Sequence, residues 1–397
     1  MSPRAKREYL ETMRVRYLKA SARIEKTRIL DEICATTGYD RKYVIRFLAM
    51  PRKKGRPRKA RRGRKPRYND PKLHKPMREI WRAANLPCSK RFKAMIPIWL
   101  PSYESMYGAL ENETRSKLLS MSAATIDRLM APVRLQHKAR GRSTTKPGGL
   151  LRSQIPIQTG QWEETRPGFV EADTVAHCGG SMAGEFVFTL DCVDIATGWS
   201  EQRAIWNKGA AGVVRQMISI ERALPFPLLG FDADNGSEFI NEQLVKHFLS
   251  RHTPVQFTRS RAYRKNDNAH IEQKNWTHVR QWIGYDRIDI PEAVALLNNL
   301  YENEWRLYHN FYQASVKVIS KERDGAKVKK VYDAPQTPYQ RVMASEPISD
   351  YSKRGLKEIF EKTNPFALRR AIDIKLREIF KLCYNPPTKS QGSKGTR

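Results

Sequence analysis

The chain is short of acid. In 397 residues, 41 Asp and Glu stand against 73 Lys and Arg, a formal net charge of +32. No apolar run approaches the ~20 residues a membrane helix needs. The basic N-terminus, MSPRAKREYLETMRVRYL, also lacks the apolar stretch of a secretory signal. The expected location is therefore cytoplasmic, with no membrane partner. Five cysteines (Cys34, Cys88, Cys178, Cys192, Cys383) are scattered without a Cys-x-x-Cys pair, which argues against a disulfide frame or a cysteine zinc site. No Gly-x-x-x-x-Gly-Lys-Ser/Thr occurs, so any ATP-driven step has to come from an accessory ATPase, and no organic cofactor is implied. At 40% hydrophobic and 10% aromatic residues, the chain can build packed cores and is long enough for several domains.

The positive charge is uneven. Residues 1–150 carry 38 Lys and Arg against 12 acids, net +26, and residues 151–397 carry 35 against 29, net +6. Such an asymmetry points to a polyanion met by the N-terminal third. Its densest part is Arg52–Arg67, where eleven of sixteen residues are basic. Gly55, Pro57, Gly63 and Pro66 keep this run from closing into a helix. Lys53, Lys54, Arg56, Arg58, Lys59, Arg61 and Arg62 are its candidate DNA contacts, around an AT-hook-like Gly55-Arg56-Pro57. Minor-groove readout and a solvated linker with loose phosphate contacts are both open readings of it.

Helical spacing flanks the run. Ile29, Leu30 and Ile33, then Val44, Ile45 and Leu48, bracket a turn with Gly38, and Asp40 is placed to cap the next helix. That pattern predicts a helix-turn-helix over 1–50, with Arg41, Lys42 and Arg46 toward DNA. A second helical DNA-binding module is expected over 71–134, where Ser122 caps a helix packed by Ile126, Leu129 and Met130 and exposing Arg128. Residues 51–70 then form the basic linker, and the Gly-rich 135–165 a second one.

From about Gly168 the pattern changes to strand period. Strands are expected at 169–175, 186–193, 199–205, 228–234 and 255–258, with helices at 210–224, 241–251 and 268–283, giving a mixed sheet covered by helices. Three acids stand out. Asp173 lies mid-strand among apolar neighbours, and Asp234 ends a strand before Asn235-Gly236. Glu272 shares helical spacing with Trp276, Val279 and Ile283, which predicts a carboxylate on a buried stripe. Buried acids need partners. Two Mg²⁺ (or Mn²⁺) ions held by three carboxylates would suit phosphodiester chemistry.

Three stretches carry a resemblance: Glu171-Ala172-Asp173-Thr174; Phe231-Asp232-Ala233-Asp234-Asn235-Gly236-Ser237-Glu238-Phe239; and Arg264-Lys265-Asn266-Asp267-Asn268-Ala269-His270-Ile271-Glu272-Gln273-Lys274-Asn275. They resemble the acidic signatures of the DDE integrases and insertion-sequence transposases, over about residues 165–315. The resemblance implies an RNase H-like core with a five-stranded sheet at 166–313, with Asp173, Asp234 and Glu272 as catalytic residues and ligands of the two ions. It implies metal-dependent 3′-end cleavage and strand transfer into target DNA. Lys265, Asn268, Lys274 and Asn275 would face DNA, and a homodimer or larger assembly would join two ends while nucleoid-bound. No His-His-Cys-Cys module accompanies it, so the bacterial insertion-sequence branch is expected. A silent DNA-binding regulator of the same descent, and a nuclease that cuts without joining, are the alternatives.

Beyond the core, 314–385 is expected to be a small α+β region. Leu297, Tyr301, Trp305, Tyr308 and Tyr312 form a stripe that packs on the core, Asp324-Gly325 marks a hairpin, and helices near 356–360 and 367–382 carry apolar stripes suited to pairing protomers. The tail 386–397 is expected to be disordered. Alanine at all seven candidate residues of the basic run should lower the slope of log K against log salt for duplex binding by up to about 6, at ~0.9 per phosphate contact. An unchanged slope means the run is merely solvated.

Overall fold

The computed structural model describes residues 1–50, 67–68, 70–135, 165–233, 239, 242–259, 269–324 and 327–384, with backbone alone at 135, 259, 269, 270, 272, 321, 323, 324, 327 and 328. Residues 51–66 of the basic run, 136–164 of the second linker and the tail lie outside these residues. The chain divides into two units, Met1–Pro66 and Arg67–Arg397.

The first unit is a three-helix cluster: α1 (Pro3–Lys19), α2 (Arg23–Thr37) and α3 (Arg41–Ala49). Gly38 takes the left-handed conformation at φ 68 and its amide closes α2 on the Cys34 carbonyl at 2.8 Å. Asp40 Oδ1 then accepts the Lys42 and Tyr43 amides at 2.8 and 3.3 Å, satisfying first-turn donors of α3. Leu10, Met13, Ile29, Leu30, Ile33, Val44 and Leu48 fill the core. Ile45, expected among them, is 40% exposed. Val44 and Leu48 occupy the i, i+4 seam of α3, and Ile45 sits about 100° around the helix from Val44.

The second unit begins with α4 (His74–Ala83), α5 (Ser89–Tyr107), α6 (Asn112–Ser120) and α7 (Ala123–Leu135). Ser122 Oγ accepts the Thr125 amide at 3.1 Å, and Ile126 and Met130 are buried. Next come three strands, β1 (Phe169–Ala176), β2 (Val187–Asp194) and β3 (Ser200–Trp206), then α8 (Ala210–Ala223), β4 (Gly230–Ala233), α9 (Glu242–Leu249) and β5 (Gln256–Arg259). The sheet order is β3-β2-β1-β4-β5, with β1–β2 and β2–β3 antiparallel and β1–β4 and β4–β5 parallel. The expected mixed five-stranded sheet with helices is thus present.

One face of the sheet, through Val170, Ala172, Leu190, Cys192 and Phe231, packs with Val213, Met217 and Ile220 of α8 and with Leu244 and Phe248 of α9. The other face meets α10 (Ala269–Lys274), which runs on through a π-helical stretch (Asn275–Arg280) into α11 (Gln281–Ile283). After it stand α12 (Glu292–Leu300), a second π stretch (Tyr301–Trp305) and α13 (Arg306–Tyr312). A hairpin, β6 (Val318–Asp324) with β7 (Lys327–Tyr332), precedes α14 (Pro338–Ala344), α15 (Asp350–Lys362) and α16 (Pro365–Tyr384).

Two expectations change here. The helices of 71–134 do not form a core of their own, because their apolar residues join one cluster with those of α12–α16. Trp99 of α5 is its hub: fully buried, with Nε1 donating to the Tyr312 carbonyl at 3.0 Å and edge contacts to Tyr308, Tyr312 and Phe366. Tyr308 in turn donates to the Ala83 carbonyl at 2.7 Å. The apolar stripe of α16, expected to pair protomers, is covered from within the chain: Ile372, Leu376 and Ile379 join the same cluster. Leu297, Tyr301, Trp305, Tyr308 and Tyr312 are all buried.

Trp99→Ala should therefore destabilise the whole second unit by about 3–5 kcal/mol. Denaturant unfolding followed by a probe in the sheet reads it. A sheet signal unmoved by the substitution would mean α4–α7 unfold independently.

Candidate active site

The site is built on β1, the central strand. Its even and odd residues face opposite ways, so the face opposite Val170 and Ala172 carries Glu171 and Asp173. Register-paired neighbours share a face. Asp173 pairs with Asp191 on β2, which pairs with Gln202 on β3. Glu171 pairs with Asp232 on β4, which pairs with Thr258 on β5. Four carboxyls thus form two neighbouring rungs on one side of the sheet.

The structure answers these acids with donors. Thr258 Oγ1 donates to Asp232 Oδ1 at 2.6 Å, and Gln202 Nε2 donates to Asp191 Oδ1 at 2.8 Å. From α10, the Ile271 amide donates to Glu171 Oε2 at 3.1 Å. Asn275 Nδ2 donates to Asp173 Oδ2 at 2.6 Å, and the Thr174 amide to Asp173 Oδ1 at 2.7 Å. Three stretches far apart in sequence, around 171–173, 231–233 and 271–275, therefore meet at one point. The sequence had singled out all three.

Asp191 is fully buried, and desolvation pushes its carboxyl up to about 7 although Gln202 and Lys274 pull the other way. His177, also fully buried, shares a hydrogen bond with Thr189 Oγ1 at 2.8 Å and is driven down to about 3, mainly by burial. Lys274 is 8% exposed; burial lowers its ammonium to about 8, opposed by Asp191. Its Nζ donates to the Gly198 carbonyl at 3.2 Å and lies 3.3 Å from His278 Nε2.

Of the expected residues, Asp173 stands on this face, whereas Asp234, Lys265 and Asn268 lie outside the described residues. Glu272 is placed by its backbone alone, in α10 beside Ile271. Lys274 and Asn275, expected to face DNA, are turned inward, one buried and the other bound to Asp173. The physical reason is helical spacing counted from buried Ile271 rather than from Glu272: Lys274 and Asn275 stand at i+3 and i+4 from it, on the inward face, and Trp276 at i+5 points away. Trp276, assigned to the buried stripe, is accordingly 46% exposed, whereas Ile271, Lys274, His278, Val279 and Ile283 are buried. Elsewhere, Arg41 is ion-paired with Asp31, Lys42 and Arg46 are exposed on α3, and exposed Arg128 donates to Thr125 Oγ1 at 3.3 Å. Lys53, Lys54, Arg56, Arg58, Lys59, Arg61 and Arg62 are outside the described residues.

Asp191 and Gln202 were missed, Glu171 stood in a quoted stretch without a role, and Asp232 was passed over in favour of Asp234 because Asn235-Gly236 follows the latter. For Glu171 the signal was available, since i and i+2 of a strand share a face. Among the described residues no group of three or more His, Cys, Asp or Glu is set to hold a metal ion, and no helix is long and apolar enough to cross a membrane.

No protein-family model matches the sequence. The chain is 42% identical over 337 residues to the protein named uncharacterized protein y4rM of Sinorhizobium fredii (strain NBRC 101917 / NGR234), spanning 84% of this chain and 94% of that one. Among solved structures, it is similar to the catalytic core domain of BIV integrase, at 13% identity and a TM-score of 0.26, over 44% of this chain and 91% of that one. A superposition that loose leaves the site to rest on its own geometry.

Asp191→Asn places an amide where wild type holds a neutral acid. A carboxyl at 3.8 unfolded and about 7 folded stabilises wild type below pH 4, and that contribution is lost as pH rises toward 7. The variant should gain relative stability across this window, by up to about 4 kcal/mol at ~1.4 per unit, and level off above it. Urea unfolding from pH 4 to 8 measures the difference.

Proposed function

The chain belongs to the family of the Sinorhizobium fredii protein y4rM, and we propose that it is a DNA transposase of the DDE type, from an insertion sequence. The observation that carries the reading is the convergence of the three acidic motif stretches: Glu171 beside Asp232 in register, and α10 tied to Glu171 and Asp173 by Ile271 and Asn275. Their chance assembly in this order, on one face of a mixed sheet, has no structural necessity behind it. A silent DNA-binding protein has no use for so many acids on one face.

In this reading Asp173, Asp234 and Glu272 hold two Mg²⁺ or Mn²⁺ ions. Of the three, Asp173 lies on the acidic face, and carboxylate oxygens are the ligands that hard cations prefer. When bound, such ions offset negative charge on the attacking and leaving oxygens. The protein's own part is placement. Asn275 fixes the Asp173 carboxylate, the Ile271 amide fixes Glu171, and the two rungs hold the site rigid on strands. Water attacks the phosphorus at the element end, forming one P–O bond, breaking another and leaving a 3′-OH. That 3′-OH attacks a target phosphodiester, whose own 3′-oxygen leaves. The α2–α3 pair, with its Gly38 turn and Asp40 cap, serves as the helix-turn-helix, presenting Lys42 and Arg46 to the duplex. The basic run 51–70 tracks the DNA backbone, and two protomers bring two ends to one target.

The test uses a duplex carrying the element's ends, with Mg²⁺ or Mn²⁺, comparing wild type with Glu272→Gln. Metal-dependent 3′-end cleavage and joined product are expected, both lost in the variant. Cleavage without joining favours the nuclease, tight binding without cleavage the regulator, and activity that survives the substitution removes Glu272 from the site.

A further inference from the structure

Beside the acidic face, a cavity of about 60 Å³ opens between α5, the turn after β2, the α10–α11 helix and the end of α13. At ~10–15 Å³ per water it has room for a handful of waters or one small oxyanion. Its chemistry is opposite to that of the neighbouring face. Arg91 of α5, Lys274 of α10 and Lys317 before β6 all line it, as do His278 and His309. Lys274 Nζ donates to the Gly198 carbonyl at 3.2 Å and to His278 Nε2 at 3.3 Å, and Lys317 Nζ to the Ala196 carbonyl at 2.6 Å.

None of these three cations makes an ion pair among the described residues, although Asp191 acts on Lys274 through space, as Asp194 and Asp333 do on Lys317. The acid that lines the cavity, Asp194, is already engaged by the Gly168 amide and by the amide and hydroxyl of Thr197, at 2.8, 2.7 and 2.6 Å. His309 is the second, independent sign. It is 3% exposed, stacked on His278 at 4.0 Å between ring centroids, and neither ring nitrogen has a hydrogen-bond partner. An unpartnered buried imidazole costs free energy, as does gathering like charges in a partly desolvated space. A single anion in the cavity offsets both.

We propose that this cavity binds a phosphate group through Arg91, Lys274 and Lys317, with His309 as a further donor. Arg91 supplies the planar fork suited to phosphate oxygens, and the two lysines supply point charges. The cavity is too small for a nucleoside, so the ligand is either free phosphate or a phosphate of a nucleic-acid backbone reaching in at Gln273 and Gln281, which line it from the α10–α11 helix. The backbone source rests on the transposase reading; the phosphate chemistry does not.

The full chain, titrated calorimetrically with inorganic phosphate at constant ionic strength set by chloride, should bind one phosphate. Arg91→Gln and Lys317→Gln should each weaken this by about tenfold, whereas Lys317→Arg retains it and so separates lost charge from lost fold. Heat no greater than chloride gives, or unchanged binding in both glutamine variants, overturns the proposal whatever the protein does to DNA. With phosphate binding established, a second titration with short duplex DNA identifies the source. Duplex affinity lowered by the same variants assigns the site to a backbone phosphate, and unchanged duplex affinity assigns it to free phosphate.

Discussion

The structure turns on the covering of an acidic face at the centre of a sheet. β1 is flanked by an antiparallel neighbour and a parallel one, and its Glu171 and Asp173 lie beside Asp191 and Asp232 in two adjacent rungs. Carboxyls so close repel when ionised and lose hydration when covered. Each therefore needs a specific donor, and the donors dictate what packs there. Thr258 and Gln202 come from the outer strands, and α10 must approach closely enough for a backbone amide to reach Glu171 and an asparagine to reach Asp173. The path of α10 across the sheet is thus set by electrostatics as much as by apolar burial.

That path carries on beyond α10. Ile271, Lys274, Asn275, His278 and Val279 follow one another at i, i+3, i+4, i+7 and i+8, so one face of the helix brings Asn275 to the acids and sinks Val279 and Ile283 into the cluster shared with α12 and α13. Lys274 and His278 on that face line the basic cavity. The acidic face and the basic cavity thus follow from one helix placement.

The sheet was legible in the sequence because its strands alternate cleanly and its loops carry Gly and Asn. Gly38 and Asp40 announced the α2–α3 turn by the chemistry of left-handed and capping positions. Less could be read where two answers share one pattern. The stripes of α5 and α16 show that each helix buries a face, yet periodicity cannot say against what, so Trp99 meeting Tyr312 and Phe366 was invisible. The Glu272 stripe was misdrawn for a different reason: Val279 and Ile283 fit two neighbouring stripes, and the buried one runs through Ile271, Lys274 and His278 rather than through Trp276. Asp191 went unnoticed because it matters only through its cross-strand partner, which is a property of register.

Charge divides differently from chain length. Residues 1–66 hold 22 Lys and Arg against 6 acids, and residues 67–397 hold 51 against 35, so each unit carries +16. The first has a fifth of the residues of the second, and hence about five times its charge density. Long-range attraction to a polyanion is accordingly strongest at the small unit, and salt screens it over ~8–10 Å. The large unit offsets its lysines and arginines with acids, and collects several of those acids on a single face. In the proposed reading the site cannot be uniformly basic, since carboxylates would hold the cations that the chemistry requires. Affinity and chemistry therefore make conflicting demands on local charge. Placing the densest positive charge in a unit with its own core of Leu10, Ile33, Val44 and Leu48 lets the acidic face exist in a chain that is basic as a whole.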